Sequence, residues 1–340
     1  YFALERLVQR IAIELKLDPI DVYRRNFVQK NQFPYRATAG ALLDSGDYHA
    51  ALAIGTGDSR LARLRAKQDA ARGEGRLYGI GFAAIVEPSI SNMGYISTVL
   101  TPEARAKAGP KNGAISSATV SIDPLGGVTV IVASAPAGQG HRTVLAQVAA
   151  DVFGLQPKDI QVNVEFDTQK DAWSVAEGNY SSRFAGAVAG TAHLAAMKLR
   201  DKLARAAAQQ FGVDTNSIAF ENGKIFSRDQ PDKSQTFGRL AAGFHWSPAL
   251  TPSSDSPGLR ETAFWSPEQL SAPDAEDHVN TSLAYGFVFD ICGVEIDRAT
   301  GRARIDEYIT THDAGTLLNP ALADGQIRGG FAQAVGAEQP

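Results

Sequence analysis

Apolar residues at the start of the chain recur at the spacing of an amphipathic helix. They are Leu4, Leu7, Val8, Ile11 and Leu15, and charged residues occupy the opposite face. Asp18 and Pro19 then supply an N-cap and a first-turn proline for a second helix that continues towards Phe27. The two helices predict an N-terminal arm, and no residue pattern in it indicates a catalytic or binding site.

Apolar and polar residues alternate in two later segments, 120–131 and 294–305. Both have the spacing V-x-I-D-x-x-x-G-x-x-x-I, which is typical of a β-hairpin around an aspartate turn. A glycine-bearing loop and a helical pattern follow each segment. The two halves therefore predict a weak internal repeat, although the common appearance of aspartate-turn hairpins explains the similarity equally well.

These patterns predict an α+β fold with two related lobes, each made of a hairpin, a glycine-rich loop and a helix. A long helix is predicted from the spacing of Leu199, Leu203, Ala207 and Phe211. The polar stretch at 93–115 predicts a long exposed loop. We expect the following division: a helical arm and connection (1–75), a first lobe (76–229), an irregular connection (230–277) and the beginning of a truncated second lobe (278–340).

Composition excludes several classes of protein. The chain has 340 residues and a net charge of −4, so nothing in its charge favours nucleic acid or an anionic membrane as a partner. The single cysteine, Cys292, excludes internal disulfides and iron–sulfur clusters held by this chain alone. No apolar run approaches the roughly 18–20 residues of a membrane span. No signal peptide is visible, both ends read as cut points in a longer protein, and we expect a cytoplasmic or periplasmic location.

Three segments have the composition of ligand-binding loops. Gly138-Gln139-Gly140-His141-Arg142-Thr143 lies between a predicted strand and helix, where glycines allow backbone N–H groups to approach a ligand. Residues 178–183, with sequence GNYSSR, precede a helix and offer hydroxyls and a guanidinium to a phosphate. The alternative for this second segment is an N-cap followed by a surface arginine.

The third segment joins an Asp313–Asn319 loop to a glycine-rich helical pattern. Gly329 and Gly330 cost on the order of 1 kcal/mol each in a helix relative to alanine, which favours a compensating ligand or close packing. Gln326 and Gln333 lie on one face of this helix.

In this order, the motifs resemble the large subunits of molybdenum hydroxylases, the xanthine dehydrogenase, aldehyde oxidase and CO dehydrogenase family. The matching elements are G-Q-G-x-x-T, a Ser-Arg loop, and D-x-G-x-x-x-N-P followed by G-Q-I-x-G-x-F-x-Q-x-x-G. The opening helix, from Phe2 to Leu7, is also similar, so the resemblance covers nearly the whole chain. Phe184 departs from it, because the family often has a small residue there.

The resemblance implies a molybdopterin cofactor with molybdenum, in the cytosine dinucleotide form. The implied cofactor-binding residues are Gly138, Gln139, Gly140, Thr143, Ser181, Ser182, Arg183, Asp313, Asn319 and Gln326. Gln139 would bond near the molybdenum oxo groups or the pterin, and Gln326 would contact the pterin, so we expect the two to converge on one cleft between the lobes. The Ser181–Arg183 loop would hold the dinucleotide. The dithiolene of the cofactor holds the metal, so no protein ligand to the metal is implied.

The implied reaction is hydroxylation of an aldehyde, an N-heterocycle or a related carbon centre by water. Electrons would pass to iron–sulfur and FAD partner subunits. The family's catalytic glutamate is expected beyond Pro340, so Glu338 is not assigned, no catalytic residue is expected in this chain, and the chain alone is expected to be inactive. The alternative is a non-catalytic cofactor-binding or scaffold module.

Two expectations concern single side chains. Arg183 is expected to be solvated and to bind a phosphate, so that its removal would change the stability of the cofactor-free protein little. His141 and His312 are expected to be loop histidines with local hydrogen bonds.

Overall fold

The computed structural model describes residues 1–109, 113–165, 167–174, 177, 179–252 and 255–338. The helices are α1 (Phe2–Leu15), α2 (Pro19–Asn26), α3 (Tyr48–Thr56), α4 (Arg60–Gly73), α5 (Pro102–Ala108), α6 (His141–Phe153), α7 (Gly190–Phe211), α8 (Phe237–Trp246) and α9 (Pro320–Glu338). The strands are β1 (Tyr35–Arg36), β2 (Leu42–Leu43), β3 (Leu77–Ser91), β4 (Ser116–Ile122), β5 (Val128–Val132), β6 (Ile160–Asn163), β7 (Ile218–Glu221), β8 (Lys224–Ser227), β9 (Ser234–Thr236), β10 (Arg260–Trp265), β11 (Ser282–Ile296) and β12 (Ala303–Asp313).

The chain divides into two compact units. The first unit contains Tyr1–Ser89, Pro273–Leu317 and Ile327–Pro340, and the second contains Ile90–Ala272 and Leu318–Gln326. The predicted lobe boundaries stay a prediction.

The first unit is built on a sheet with the strand order β12-β11-β3. Strands β11 and β12 form the predicted antiparallel hairpin, whose turn is closed by hydrogen bonds from the backbone N–H groups of Ala299 and Thr300 to Asp297. Helix α3 packs on this hairpin, and the stacked rings of Tyr48 and Phe287, 4.2 Å apart, lie in the core. Helix α2 begins as predicted, with the Asp18 carboxylate accepting from the backbone N–H of Ile20. Ile20 and Tyr23 of this helix belong to the same core.

The second unit is built on a sheet with the strand order β10-β4-β5-β6. Strands β4 and β5 form the other predicted hairpin, and β5 pairs in parallel with β6 after a crossover through α6. Helices α6 and α7 cover this sheet, and fully buried side chains such as Leu145, Phe153 and Leu199 fill the space between them. A small antiparallel sheet, β7-β8-β9, completes the unit. The α+β class and the long helix α7 are therefore confirmed.

Two predicted irregular segments contain regular structure. The stretch 93–115, predicted to be one exposed loop, contains a 3-10 helix at Met93–Val99 and helix α5, and its Arg105 is buried. The stretch 230–277 contains α8 and β10, which pairs with β4 along its whole length. Among the described residues, no helix has both the length and the apolar character that crossing a bilayer requires.

Candidate functional site

The glycine loop between β5 and α6 has a backbone that only glycine adopts freely. Gly138 has a φ of +104° and Gly140 a φ of +80°. A Cβ added at Gly138 would meet no described atom within 4 Å, so this side of the loop is open. Helix α6 begins at His141 without a side-chain cap, which leaves its first N–H groups available to an anion. The loop therefore has the shape and polarity of a binding loop.

Gln139 is half-buried and folds back over its own loop. Its Oε1 accepts a hydrogen bond from the backbone N–H of Ala137 at 2.6 Å. Its Nε2 has no bond to the described residues, so the amide keeps a donor for another group. Thr143 is exposed on the first turn of α6.

His141 is a buried residue and not the loop histidine that the sequence predicts. Its side chain is 1% exposed, and its ring stacks on Phe184 with centroids 3.6 Å apart and an interplanar angle of 1°. Burial lowers the pKa of His141 below the ordinary histidine value, because an apolar environment disfavours the charged ring. Its Nδ1 has no hydrogen-bond partner among the described residues. By contrast, the predicted local contact of His312 is present, with Nε2 2.8 Å from the Thr310 hydroxyl.

The Ser181–Arg183 segment begins in a strained conformation. Ser181 and Ser182 have φ values of +51° and +47°, and Ile90, which faces them, has a φ of +54°. The backbone N–H of Ile90 donates to the Ser181 carbonyl at 2.8 Å, and the hydroxyls of Ser91 and Ser181 lie 2.5 Å apart. These contacts hold a turn in which the exposed residue is Ser182.

Arg183 lies in the interior, so the expectation of a solvated side chain is wrong. The side chain is 1% exposed and donates to the backbone carbonyls of Ser91 and Ala114 and to the Ser116 hydroxyl. Its guanidinium also lies over the Tyr180 ring, 5.5 Å from the centroid. The pattern of a helix start predicted an exposed arginine, but the acceptors that hold the side chain inside come from segments distant in sequence. The phosphate contact of Arg183 stays a prediction, and Ser182 is the better placed group for it.

Glu177 adds a half-buried carboxylate near Arg183. It accepts hydrogen bonds from the backbone N–H and the hydroxyl of Ser117. Burial raises its pKa above the ordinary glutamate value, and the hydrogen bonds from Ser117, followed by the charge of Arg183, oppose this rise. No sequence motif had singled out this glutamate.

Asn179 connects the serine turn to the strand end before the glycine loop. Its Nδ2 donates to the Ala135 carbonyl, and its Oδ1 accepts from the Ser134 hydroxyl at 3.0 Å. This residue belongs to the quoted motif but received no predicted role. It brings the first two predicted motifs side by side, whereas Gly178 of the same motif lies outside the described residues.

The start of α9 packs against the glycine loop. Asn319 caps this helix, with its Oδ1 accepting from the Leu322 N–H at 3.0 Å. A Cβ added at Gly140 would lie 2.6 Å from Cδ1 of Leu322, so the leucine side chain would have to move, and the φ of +80° favours glycine independently. Gln326 is exposed one helical turn after Leu322, on the same face. The convergence of Gln139 and Gln326 stays a prediction that this contact supports.

Other parts of the third motif belong to the first unit. Asp313 ends β12 in the first unit, and its carboxylate accepts from the backbone N–H of Gly315 at 3.2 Å. A Cβ added at Gly329 or Gly330 would meet no described atom within 4 Å. Close packing within the described chain therefore does not explain these two glycines.

Three side chains of the described part of the chain are close enough to share a metal ion. They are Asp274, Glu276 and His278, all exposed, with ligand atoms within 4.8 Å of one another. The Asp274 carboxylate already accepts from the backbone N–H groups of Glu276 and His278 at 3.0 and 2.8 Å. This local turn explains the cluster, and we assign no metal site to it.

The residues around the glycine loop fit a pterin cofactor. The open side of Gly138 gives room for a planar ring, the free amide donor of Gln139 can bond its edge, and the uncapped start of α6 favours an anionic group. The neighbouring turn adds the exposed hydroxyl of Ser182. Gly138, Gln139 and Ser182 are exposed or half-buried, so a ligand can reach them without a rearrangement of the core.

Comparison with known proteins agrees with this chemistry. The chain is 29% identical to the carbon monoxide dehydrogenase large chain of Hydrogenophaga pseudoflava, a match covering 100% of this chain and 40% of that protein. It is 29% identical to the nicotine 6-hydroxylase large subunit of Paenarthrobacter nicotinovorans, covering 98% of this chain and 38% of that protein. The chain thus spans about two fifths of the length of these relatives.

Solved structures and a family model point the same way. The crystal structure of quinoline 2-oxidoreductase from Pseudomonas putida 86 superposes with a TM-score of 0.81 at 30% identity, covering 98% of this chain and 39% of that one. The family model of the molybdopterin cofactor-binding domain matches residues 56–338, which include every residue assigned above to the candidate site. This chain therefore belongs to the family of molybdopterin cofactor-binding domains.

Proposed function

We propose that this chain holds the pterin cofactor of a molybdenum hydroxylase. The enzyme would be an oxidoreductase that uses water to hydroxylate an aldehyde, an N-heterocycle or a related carbon centre. The observation that carries the proposal is the open glycine loop at the uncapped start of α6, with Leu322 of α9 packed against Gly140. The bound cofactor would supply the redox chemistry. The chain would supply binding and orientation.

The residues of the loop would have separate tasks. Backbone N–H groups at Gly138, Gly140 and the start of α6 would bond anionic or carbonyl oxygens of the cofactor. The Gln139 amide can donate from Nε2 while its Oε1 stays bonded to the Ala137 N–H, so it can fix the orientation of a ring or an oxo group. Asn319 and Gln326 would approach from α9, and Asp313 is proposed as a further contact.

The dinucleotide form of the cofactor would use the neighbouring turn. Ser181 and Ser182 carry hydroxyls beside the helix that begins after Arg183, where a phosphate is favoured. Because the Arg183 guanidinium is bonded to interior acceptors, we propose that Ser182 contacts the phosphate and that Arg183 acts on it through the backbone. A cytosine dinucleotide is the form implied by the family resemblance.

Partners and substrate belong to the intact protein. We propose iron–sulfur and FAD subunits as electron acceptors and a small molecule as substrate, with the base contributed by a glutamate outside this chain. The names of the relatives include carbon monoxide, nicotine and quinoline enzymes, so the relatives do not agree on one substrate. We further propose that the chain alone is inactive and that the protein works in the cytoplasm.

Metal and nucleotide analysis of the intact subunit tests the proposal. Purified from a host that makes the cofactor, it should contain about one molybdenum and one cytidine nucleotide per subunit. In Gly138→Val, the new side chain fills the open side of the loop, and both contents should fall at least about 5-fold, corresponding to about 1 kcal/mol.

Gly223→Val is the matched control. Gly223 also has a positive φ, +74°, and open space around it, but it lies in the β7–β8 turn. It should lose stability to the same extent and keep both contents. A wild-type subunit without molybdenum and nucleotide would overturn the proposal, and so would equal losses in the two variants.

A further inference from the structure

We propose that His141 and Phe184 form a positioning pair that holds the Gln139 loop in register with the Ser181–Arg183 turn. The proposal rests on the cofactor-binding function above and names two residues that act through others. It starts from the parallel contact of the two rings, whose centroids are 3.6 Å apart. His141 begins α6, directly after the glycine loop, and Phe184 directly follows Arg183.

The Phe184 end of this contact is fixed to the interior. Arg183, its neighbour in sequence, is 1% exposed and is bonded to Ser91, Ala114 and Ser116. A π-helical turn at Phe184–Ala189 follows and leads into α7. Phe184 is therefore an anchored surface and not a mobile side chain at a loop tip.

The His141 end of the contact borders the residue that needs positioning. Gly140, with a φ of +80°, is the hinge between His141 and Gln139, and a glycine hinge has no side chain to restrict it. Two contacts restrict it from outside. Leu322 packs directly on Gly140, and Phe184 covers one face of the His141 ring.

A smaller side chain at position 184 would uncover the buried His141 ring. The ring would then lose its stacking partner, and the first turn of α6 would lose packing at its start. The hydrogen bond from the Val144 N–H to the Gly140 carbonyl, 3.2 Å long, is the first backbone bond of that turn. Opening of this bond therefore reports the freedom of the glycine loop.

Ordinary core packing is the competing explanation. It predicts that any phenylalanine packed on α6 has the same effect on the loop. Phe220 provides the comparison, since it is half-buried like Phe184 and its backbone lies next to Gly154 at the other end of α6. Its ring faces the Arg200 guanidinium of α7 at 5.2 Å. Helix α6 has 13 residues, which places Phe220 roughly 20 Å from the loop.

The test uses the intact subunit with Phe184→Leu, Phe184→Tyr and Phe220→Leu. Aromatic pairs contribute about 0.5–1.5 kcal/mol, so Phe184→Leu should accelerate exchange of the Val144 amide about 3- to 10-fold in the cofactor-free protein. It should also raise the rate of cofactor dissociation by a similar factor. Phe184→Tyr keeps an aromatic ring against His141, so both rates should stay within about 2-fold of wild type.

Each outcome decides one statement. Equal acceleration by Phe184→Leu and Phe220→Leu, or none by either, overturns the positioning pair, and so does a failure of Phe184→Tyr to restore the rates. If exchange changes as expected but the wild-type subunit never holds the cofactor, the proposed function is overturned and the mechanical link between Phe184 and the loop remains. If Phe184→Leu, but not Phe220→Leu, accelerates both amide exchange and cofactor dissociation, the positioning pair and the proposed function are both supported.

Discussion

The amide of Asn319 joins two helices that the candidate site needs. Its Nδ2 donates to Oε1 of Gln147 in α6 at 2.9 Å, while its Oδ1 caps α9 by accepting from the Leu322 N–H at 3.0 Å. Helix α6 begins at the glycine loop, and Leu322 packs on that loop. One side chain thus fixes where α9 begins and how its first turn lies against α6.

The two roles of Asn319 can be separated by substitution. Asn319→Ala removes both, and we expect a loss of about 1–2 kcal/mol in the free energy of unfolding. Asn319→Ser keeps a capping oxygen but does not reach Gln147, so it should cost about half as much. Urea unfolding of the cofactor-free protein measures both. If serine is as costly as alanine, the cap contributes little.

Arg183 should be important for the stability of the fold even without a cofactor. Arg183→Ala leaves the carbonyls of Ser91 and Ala114 buried without their donor, and we expect a loss of about 2–4 kcal/mol. Arg142→Ala is the control, because that side chain is 54% exposed and its removal should cost under about 1 kcal/mol. Equal, small losses in a denaturant titration would contradict the interior placement of Arg183.

Gly186 should accept a methyl group only if the Ile90 side chain moves or becomes smaller. A Cβ at Gly186 would lie 2.2 Å from Cδ1 of Ile90, a residue whose own backbone is strained at a φ of +54°. Gly186→Ala should therefore cost about 1–3 kcal/mol. Ile90→Val removes the clashing methyl group.

A double-mutant cycle checks this pair. The double variant should cost less than the sum of the single variants by at least about 1 kcal/mol. Strictly additive losses in the free energy of unfolding would mean that the two side chains do not meet.

Elements that are local in sequence could be predicted, and long-range orientation could not. The β4–β5 and β11–β12 hairpins follow from alternation and an aspartate turn, because each aspartate bonds backbone N–H groups within four residues of itself. The capping of α2 by Asp18 is equally local. Their partners lie within the window that a sequence pattern covers.

The burial of the Arg183 side chain could not be predicted, because its hydrogen-bond partners lie outside any local sequence pattern. The motif Ser-Ser-Arg before a helix favours an anion site, but the direction of the guanidinium depends on Ser91 and Ala114, which are far away in sequence. The Leu322 contact with Gly140 is equally remote. The motifs therefore gave the residues of the candidate site but not which of them face inward.

His141 should make the stability of the protein depend on pH. Its pKa in the folded protein lies below the ordinary value of 6.5, because burial disfavours the charged ring. Between these two values the unfolded chain binds a proton that the folded chain does not. The contribution of neutral His141 to the free energy of unfolding is therefore fully present above pH 6.5. It is lost as the pH falls towards the pKa of the folded protein, with a slope of at most about 1.4 kcal/mol per pH unit.

His141→Phe isolates this effect, since it keeps a ring against Phe184 and cannot titrate. The free energy of unfolding, measured by urea titration from pH 7.5 down to pH 5, should fall more steeply in wild type than in the variant. Glu177 does not disturb the comparison. Burial raises its pKa, so its contribution changes with pH in the opposite direction, but both proteins carry it and it cancels in the difference. Parallel profiles would show that the folded protein protonates His141 as readily as the unfolded chain does, and its burial against Phe184 would then be disproved.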